Sequence, residues 1–220
     1  MEDLFETNQK DIPVSDIEIF TKIWTSPRQV FKFINDSQYD KYVAVLLMLM
    51  GISKAFDKAI SRHMGDTTSF WEIIAFCVLG GAIFGWIIYC IYAALVSWTG
   101  RWLKAEGNTQ SILRVLAYAS IPSAVGVVLF ILPIVVYGKE VFKSDGDLES
   151  ADMLSNVFVY GSIFLQLALA VWSIFLTVIG ISEVQKLSIG KSILNLLLPF
   201  FVIFLPLCAI ILGIAILANH

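Results

Sequence analysis

Four apolar runs, each long enough to cross a lipid bilayer and none interrupted by a charge, constrain this chain more than any other feature. Residues 73–98, 115–137, 157–181 and 193–217 contain no Asp, Glu, Lys or Arg. Each exceeds the roughly 20 helical residues that a hydrocarbon layer about 30 Å thick requires. Strands of a membrane barrel need only about 10 residues and alternate in polarity, and a surface helix of a soluble domain keeps a polar face. The runs fit neither pattern. Composition agrees, with 58% hydrophobic and 15% charged residues against roughly 45–50% and about 25% in soluble domains. The expected class is all-α, a polytopic integral membrane protein with membrane lipids as its solvent.

A fifth candidate starts at Tyr42, where YVAVLLMLMGIS is apolar for only twelve residues, about 18 Å of helix. Helical spacing continues beyond it. Ile52, Ala55, Phe56, Ala59 and Ile60 share one face, and Lys54, Asp57, Lys58 and Arg62 the other. The segment reads as a span with an amphipathic outer end or as a helix in the interface. Charge counting leaves both open, since with four or five crossings and the N-terminus inside, ten of the 15 Lys and Arg residues fall on the inner side.

Residues 1–41 carry acids without an apolar core, unlike a signal or transit peptide, so the first span is expected to direct insertion. Ile17, Phe20 and Trp24 recur at helical intervals. A second short helix starts at Thr25, Ser26 and Pro27, with hydroxyls to cap it and proline in its first turn. Its Val30, Phe31 and Ile34 oppose Arg28, Lys32 and Asp36. This suits either an interfacial cytoplasmic helix or a small helix packed on the loops. The expected organisation is therefore residues 1–41 as a cytoplasmic region of amphipathic helices and 42–220 as a membrane domain, with spans near 42–60, 73–98, 115–137, 157–181 and 193–217.

Within the spans, Pro122, Pro133, Pro199 and Pro206 predict kinks. Gly81 and Gly85 form a GxxxG groove for a helix of the same chain or of a second copy. Gln166, Ser173, Thr177, Asn195, Ser120 and Ser123 are polar but not ionisable, which argues against a proton relay. Cys77, Cys90 and Cys208 lie singly in apolar runs and read as packing residues. His63 and His220 lack metal-site spacing, and neither GxSxG nor a P-loop occurs. Asp145, Asp147, Glu149 and Asp152 form a charged loop without calcium-site spacing. A net charge of −3, with basic residues spread among loops, excludes nucleic acid as the expected partner. The chain is expected to be non-enzymatic and to need no cofactor or metal.

Three stretches, TKIWTSPRQVFKFI, ILRVLAYASIPSAVG and GISEVQKLSIGKSIL, together resemble the Yip family of Ypt-interacting membrane proteins in its prokaryotic-type version. The likeness spans residues 20–217. Arg114, Tyr118, Ser120, Ile121 and Pro122 carry the middle motif, Pro27, Arg28 and Phe31 the first, and Gly180, Glu183, Lys186, Gly190 and Lys191 the third. The resemblance implies five spans, a cytoplasmic N-terminus, and a cytoplasmic loop around Glu183. Eukaryotic relatives are linked to vesicle traffic and small prenylated GTPases. Their long N-terminal region and DLxGP-like motif are missing here, so GTPase binding does not carry over.

In that topology Pro27, Arg28, Arg114, Tyr118, Pro122, Glu183 and Lys186 gather near the cytoplasmic interface. Their charges there would form one platform for a protein partner or anionic headgroups, or would simply anchor helix ends. The resulting expectation is a membrane organiser or adaptor, self-associating, in a prokaryotic plasma membrane. The competing expectation is a small solute or lipid transporter using the kinked third and fifth spans with Gln166 and Asn195.

Overall fold

A computed structural model describes residues 15–146 and 153–218, and every regular element among them is helical. Asp147, Glu149, Asp152 and His220 lie outside the described residues, as does the side chain of Cys208.

Helix α1 (Asp16–Lys22) begins with a capping box, in which the Ser15 hydroxyl accepts from the Glu18 amide and the Glu18 carboxylate accepts from that of Ser15. Its rotation differs from the sequence expectation. Ile19 and Ile23 are fully buried and Ile17 is 75% exposed, with Phe20 and Trp24 at the margin of the core. Hydrogen bonds from Tyr39 and Tyr42 to Asp16 hold this rotation. Helix α2 (Pro27–Asp36) begins with proline in its first turn and buries Val30, Phe31 and Ile34. Those side chains are covered by protein. A Cβ on Gly180 would lie 3.1 Å from the Phe31 ring and 2.5 Å from Val115. The face meets Val115 and Gly180, residues of other helices, and not the loops.

Helix α3 (Val43–Ser61) runs 19 residues, about 28 Å, well past the apolar twelve. Helix α4 (Phe70–Ala75) passes through a π turn (Phe76–Gly80) into α5 (Gly81–Gly100). The third expected helix is two, α6 (Thr109–Ala119) and α7 (Ile121–Tyr137), which meet at Ser120. Pro122 causes no loss there, because the first turn of α7 leaves its amides unpaired in any case. Helices α8 (Met153–Val184) and α9 (Ile189–Ala218) follow. Pro133, Pro199 and Pro206 lie inside uninterrupted helices.

Helix α6 occupies the middle. Every residue from Ser111 to Pro122 is buried, and α2, α3, α5 and α8 all touch it. Around it α3, α5, α9, α8 and α7 form a ring, each packed on the next and α7 on α3. The closest approach is α3 on α5, where a Cβ on Gly51 would sit 2.1 Å from the Gly81 carbonyl and one on Gly85 2.3 Å from the Gly51 Cα. The GxxxG groove is therefore filled by this chain's own Gly51. At the far end, Phe142 is buried between Phe56 and Phe70, and the Ser144 amide donates to Asp66 at 3.1 Å.

The flanks of the ring are apolar. Stretches Phe70–Leu103 and Tyr160–Val184 are long and apolar enough to cross a membrane, and Ile189–Ile203 is a shorter apolar helix. Phe84, Phe164 and Ile174 are 62%, 75% and 65% exposed, an outward apolar surface far larger than a water-soluble monomer presents.

Candidate functional site: a polar cleft at one end of the bundle

The linker between α2 and α3 reads SQYDKY, and its side chains tie three helices together. Asp16, in the first turn of α1, accepts hydrogen bonds from the Tyr39 hydroxyl, from the Tyr42 hydroxyl at 2.6 Å and from the Lys41 ammonium. Lys41 above all, and then the two phenols, hold the Asp16 carboxyl well below the usual carboxylate range. Burial and the neighbouring Asp16 push the Tyr39 phenol up to about 12. Asp40 points the other way, to α6. The Arg114 guanidinium donates to it twice, Nε at 2.7 Å and Nη2 at 3.0 Å, and the Gln110 amide donates at 3.1 Å. These bonds, Arg114 first, lower the Asp40 pKa. Because α6 is enclosed from Ser111 onward, its single charge is buried, and this fork-shaped pairing from the linker is what satisfies it.

Across from this tie lies the turn joining α8 to α9. Lys186 adopts the left-handed conformation that ends a helix, the Ser182 hydroxyl donates to the Leu187 carbonyl at 2.7 Å, and Lys186 pairs with Glu183 at 3.1 Å. Beneath the turn runs a fully buried polar chain. Thr99 donates to Asn195 at 2.9 Å, and the Asn195 amide donates to Gln185 at 2.6 Å. The Glu106 amide adds a bond to the Gln185 carbonyl at 3.2 Å. Only glycine fits beside it, since a Cβ on Gly100 would stand 2.8 Å from Gln185 Nε2 and one on Gly107 2.7 Å from its Cγ.

Between the linker and this turn opens a cleft of about 420 Å³, walled by Asn35, Gln38, Glu106, Gln110, Arg114 and Lys186 among others. Its walls carry amides, a guanidinium, an ammonium and a carboxylate, groups that bind by hydrogen bonding and charge. Among the described residues no group of three or more His, Cys, Asp or Glu comes together to hold a metal ion.

The residues singled out from sequence are only partly gathered here. Arg114 and Lys186 line the cleft, and Glu183 pairs with Lys186 beside it. Tyr118 lies fully buried, its ring 6.1 Å from that of Tyr39. Pro27 and Arg28 stand at the far end of α2 and are not among the residues of the cleft wall; Arg28 is exposed and makes no ion pair with a described residue. Pro122 is inside the bundle, and Gly81 and Gly85 pack against α3. Gln166 and Asn195 are separated, the first in a side groove between α3, α7 and α8, the second in the buried chain under the turn. Sequence reading missed Asp16, Tyr39, Asp40 and Gln185. Gln185 stood within a recognised motif, but Asp40 lies 74 residues from Arg114, with no local signal to join them.

The model of the Yip1 domain family matches this chain over residues 21–211. No curated protein and no solved structure matches it.

Proposed function

The chain belongs to the Yip family of membrane proteins, and on that premise we propose that it is a five-span, non-enzymatic adaptor whose polar cleft faces the cytoplasm and receives a segment of a partner protein. The carrying observation is the cleft itself. It is a roomy polar recess built by α2, α6 and the α8–α9 turn, on a bundle whose flanks are apolar. Charge distribution supports its orientation, because nine of the 14 Lys and Arg among the described residues fall at this end of a five-span bundle. The lining supports a peptide as occupant, since Asn35, Gln38 and Gln110 offer amides to a peptide backbone while Lys186 and Glu106 offer charges of both signs. A photo-crosslinking residue at Gln38 or Glu106, activated in native membranes, is expected to give one discrete adduct that Lys186→Glu diminishes. No adduct from either position, with silent charge reversals around the cleft, would overturn the reading.

One observation favours a second reading. The side groove of about 260 Å³ carries Lys54, Asp57, Ser123 and Gln166 between α3, α7 and α8, a polar recess of the kind a solute transporter uses. Flux into liposomes that Asp57→Asn and Gln166→Leu abolish, and that Lys186→Glu leaves intact, would favour transport over the adaptor.

A further inference from the structure

On the flank of the bundle, away from the cleft, α3 and the π turn bound a second recess. It measures about 360 Å³ and is lined by Gly51, Ala55, Phe76, Gly80, Phe84 and Ile88, with Lys54 and Lys58 at its rim. Its walls are apolar and its rim is cationic. Lys54, Lys58 and Arg62 follow one another every four residues and so form one stripe along α3, ending at the helix terminus. Lys54 pairs with Asp57 at 3.3 Å, and its side chain is 63% exposed. Lys58 makes no ion pair with a described residue. An ammonium held against a lipid-facing wall is costly unless it reaches the headgroup layer or meets a counter-charge. Lys58 stands one turn from the end of α3, within reach of headgroups, and Lys54 one turn deeper, where its long stem lets the charge rise toward the same level.

We infer that this recess is a binding site for an acidic phospholipid, with the headgroup phosphate between Lys54 and Lys58 and one acyl chain lying along Gly51, Gly80 and Phe84. The π turn lends Phe76 and Gly80 to the recess wall. Such turns insert an extra residue into a helix and recur at functional sites. Here the turn delivers Gly80 to the recess with only the Phe76 ring near it, at 3.7 Å from a built Cβ. Gly81, the next residue, is by contrast pressed against Ile52 and Ala55 of α3. The glycine facing the recess therefore serves the recess, and its neighbour serves helix packing. An acidic lipid is favoured over a second copy of this chain because the rim is cationic, and a copy would set the same lysines against each other about its symmetry axis.

The test is native mass spectrometry of the protein released from nanodiscs of equal phosphatidylglycerol and phosphatidylcholine. The wild type is expected to retain phosphatidylglycerol in preference, by roughly fivefold for each lysine engaged. Lys54→Gln with Lys58→Gln should bring the ratio to parity, and Lys58→Arg should keep it. Gly80→Leu should lower retention of both lipids while leaving the melting temperature in place, because only the Phe76 ring lies within 4 Å of a Cβ built there and the rest of the side chain enters the recess. Parity in the wild type, an unchanged preference in the double Gln variant, or a lipid-free dimer would each overturn the assignment. Should Gly80→Leu fail to fold, the lysine variants alone decide.

Discussion

Asp40 is half-exposed, yet it holds the only charge of a helix buried from Ser111 to its end. Replacing it with Asn leaves the Arg114 guanidinium without its anion, a loss on the order of 1–3 kcal/mol for an uncompensated buried polar group. Denaturant titration in detergent should show this loss for Asp40→Asn. Arg114→Lys should lose stability too, because an ammonium cannot make the two parallel bonds. Acid probes the same tie. Asp16 and Asp40 both have folded pKa values below their ordinary value of 3.8. A depressed carboxylate contributes its stability in full above the unfolded value and loses it as pH falls through the folded one. Amide exchange in α1 and α2 should therefore accelerate as pH drops below about 3.8, after correction for intrinsic rates. Asp16→Asn with Asp40→Asn should show faster exchange already at neutral pH and a smaller acid step, the remainder in α1 coming from the Glu18 cap.

At the scale of elements, the glycines separate packing from space. Gly51→Ala and Gly85→Ala force a methyl into the opposing backbone at 2.1 and 2.3 Å and should each cost about 1–3 kcal/mol, whereas Gly80→Ala should be near neutral in the same thermal melt. Gly180→Ala pushes on Phe31 and Val115, so protease cutting before Val43 should speed up as α2 loosens. Helix existence was readable in the chain because charge-free runs and a 3.6-residue period are local signals. Each expected span corresponds to helix, and α2 starts at its proline as expected. The break at Ser120 falls two residues before Pro122, where a kink was expected, whereas the π turn at Phe76–Gly80 was not readable, because no proline or other local signal marks it. The candidate site was readable only in part for the same reason. Arg114, Glu183 and Lys186 stood in motifs, but Asp40 gains its meaning only when the linker folds over α6.

At the scale of the whole molecule, the proposed topology sets five crossings around a central helix, with the cleft on one side of the membrane and the Phe142 cap on the other. Topology is what every functional reading depends on, since a cleft turned away from the cytoplasm could meet no cytoplasmic partner. Ser188, in the α8–α9 turn, and Ser144, beside the cap, are both exposed. They report the two ends. Single cysteines at these positions, in a background without Cys77, Cys90 and Cys208, should react oppositely with a membrane-impermeant maleimide. In the proposed topology Ser188→Cys labels only from the cytoplasmic side and Ser144→Cys only from the other. Labelling of Ser188→Cys from the outer side, or of both positions from one side, would contradict it.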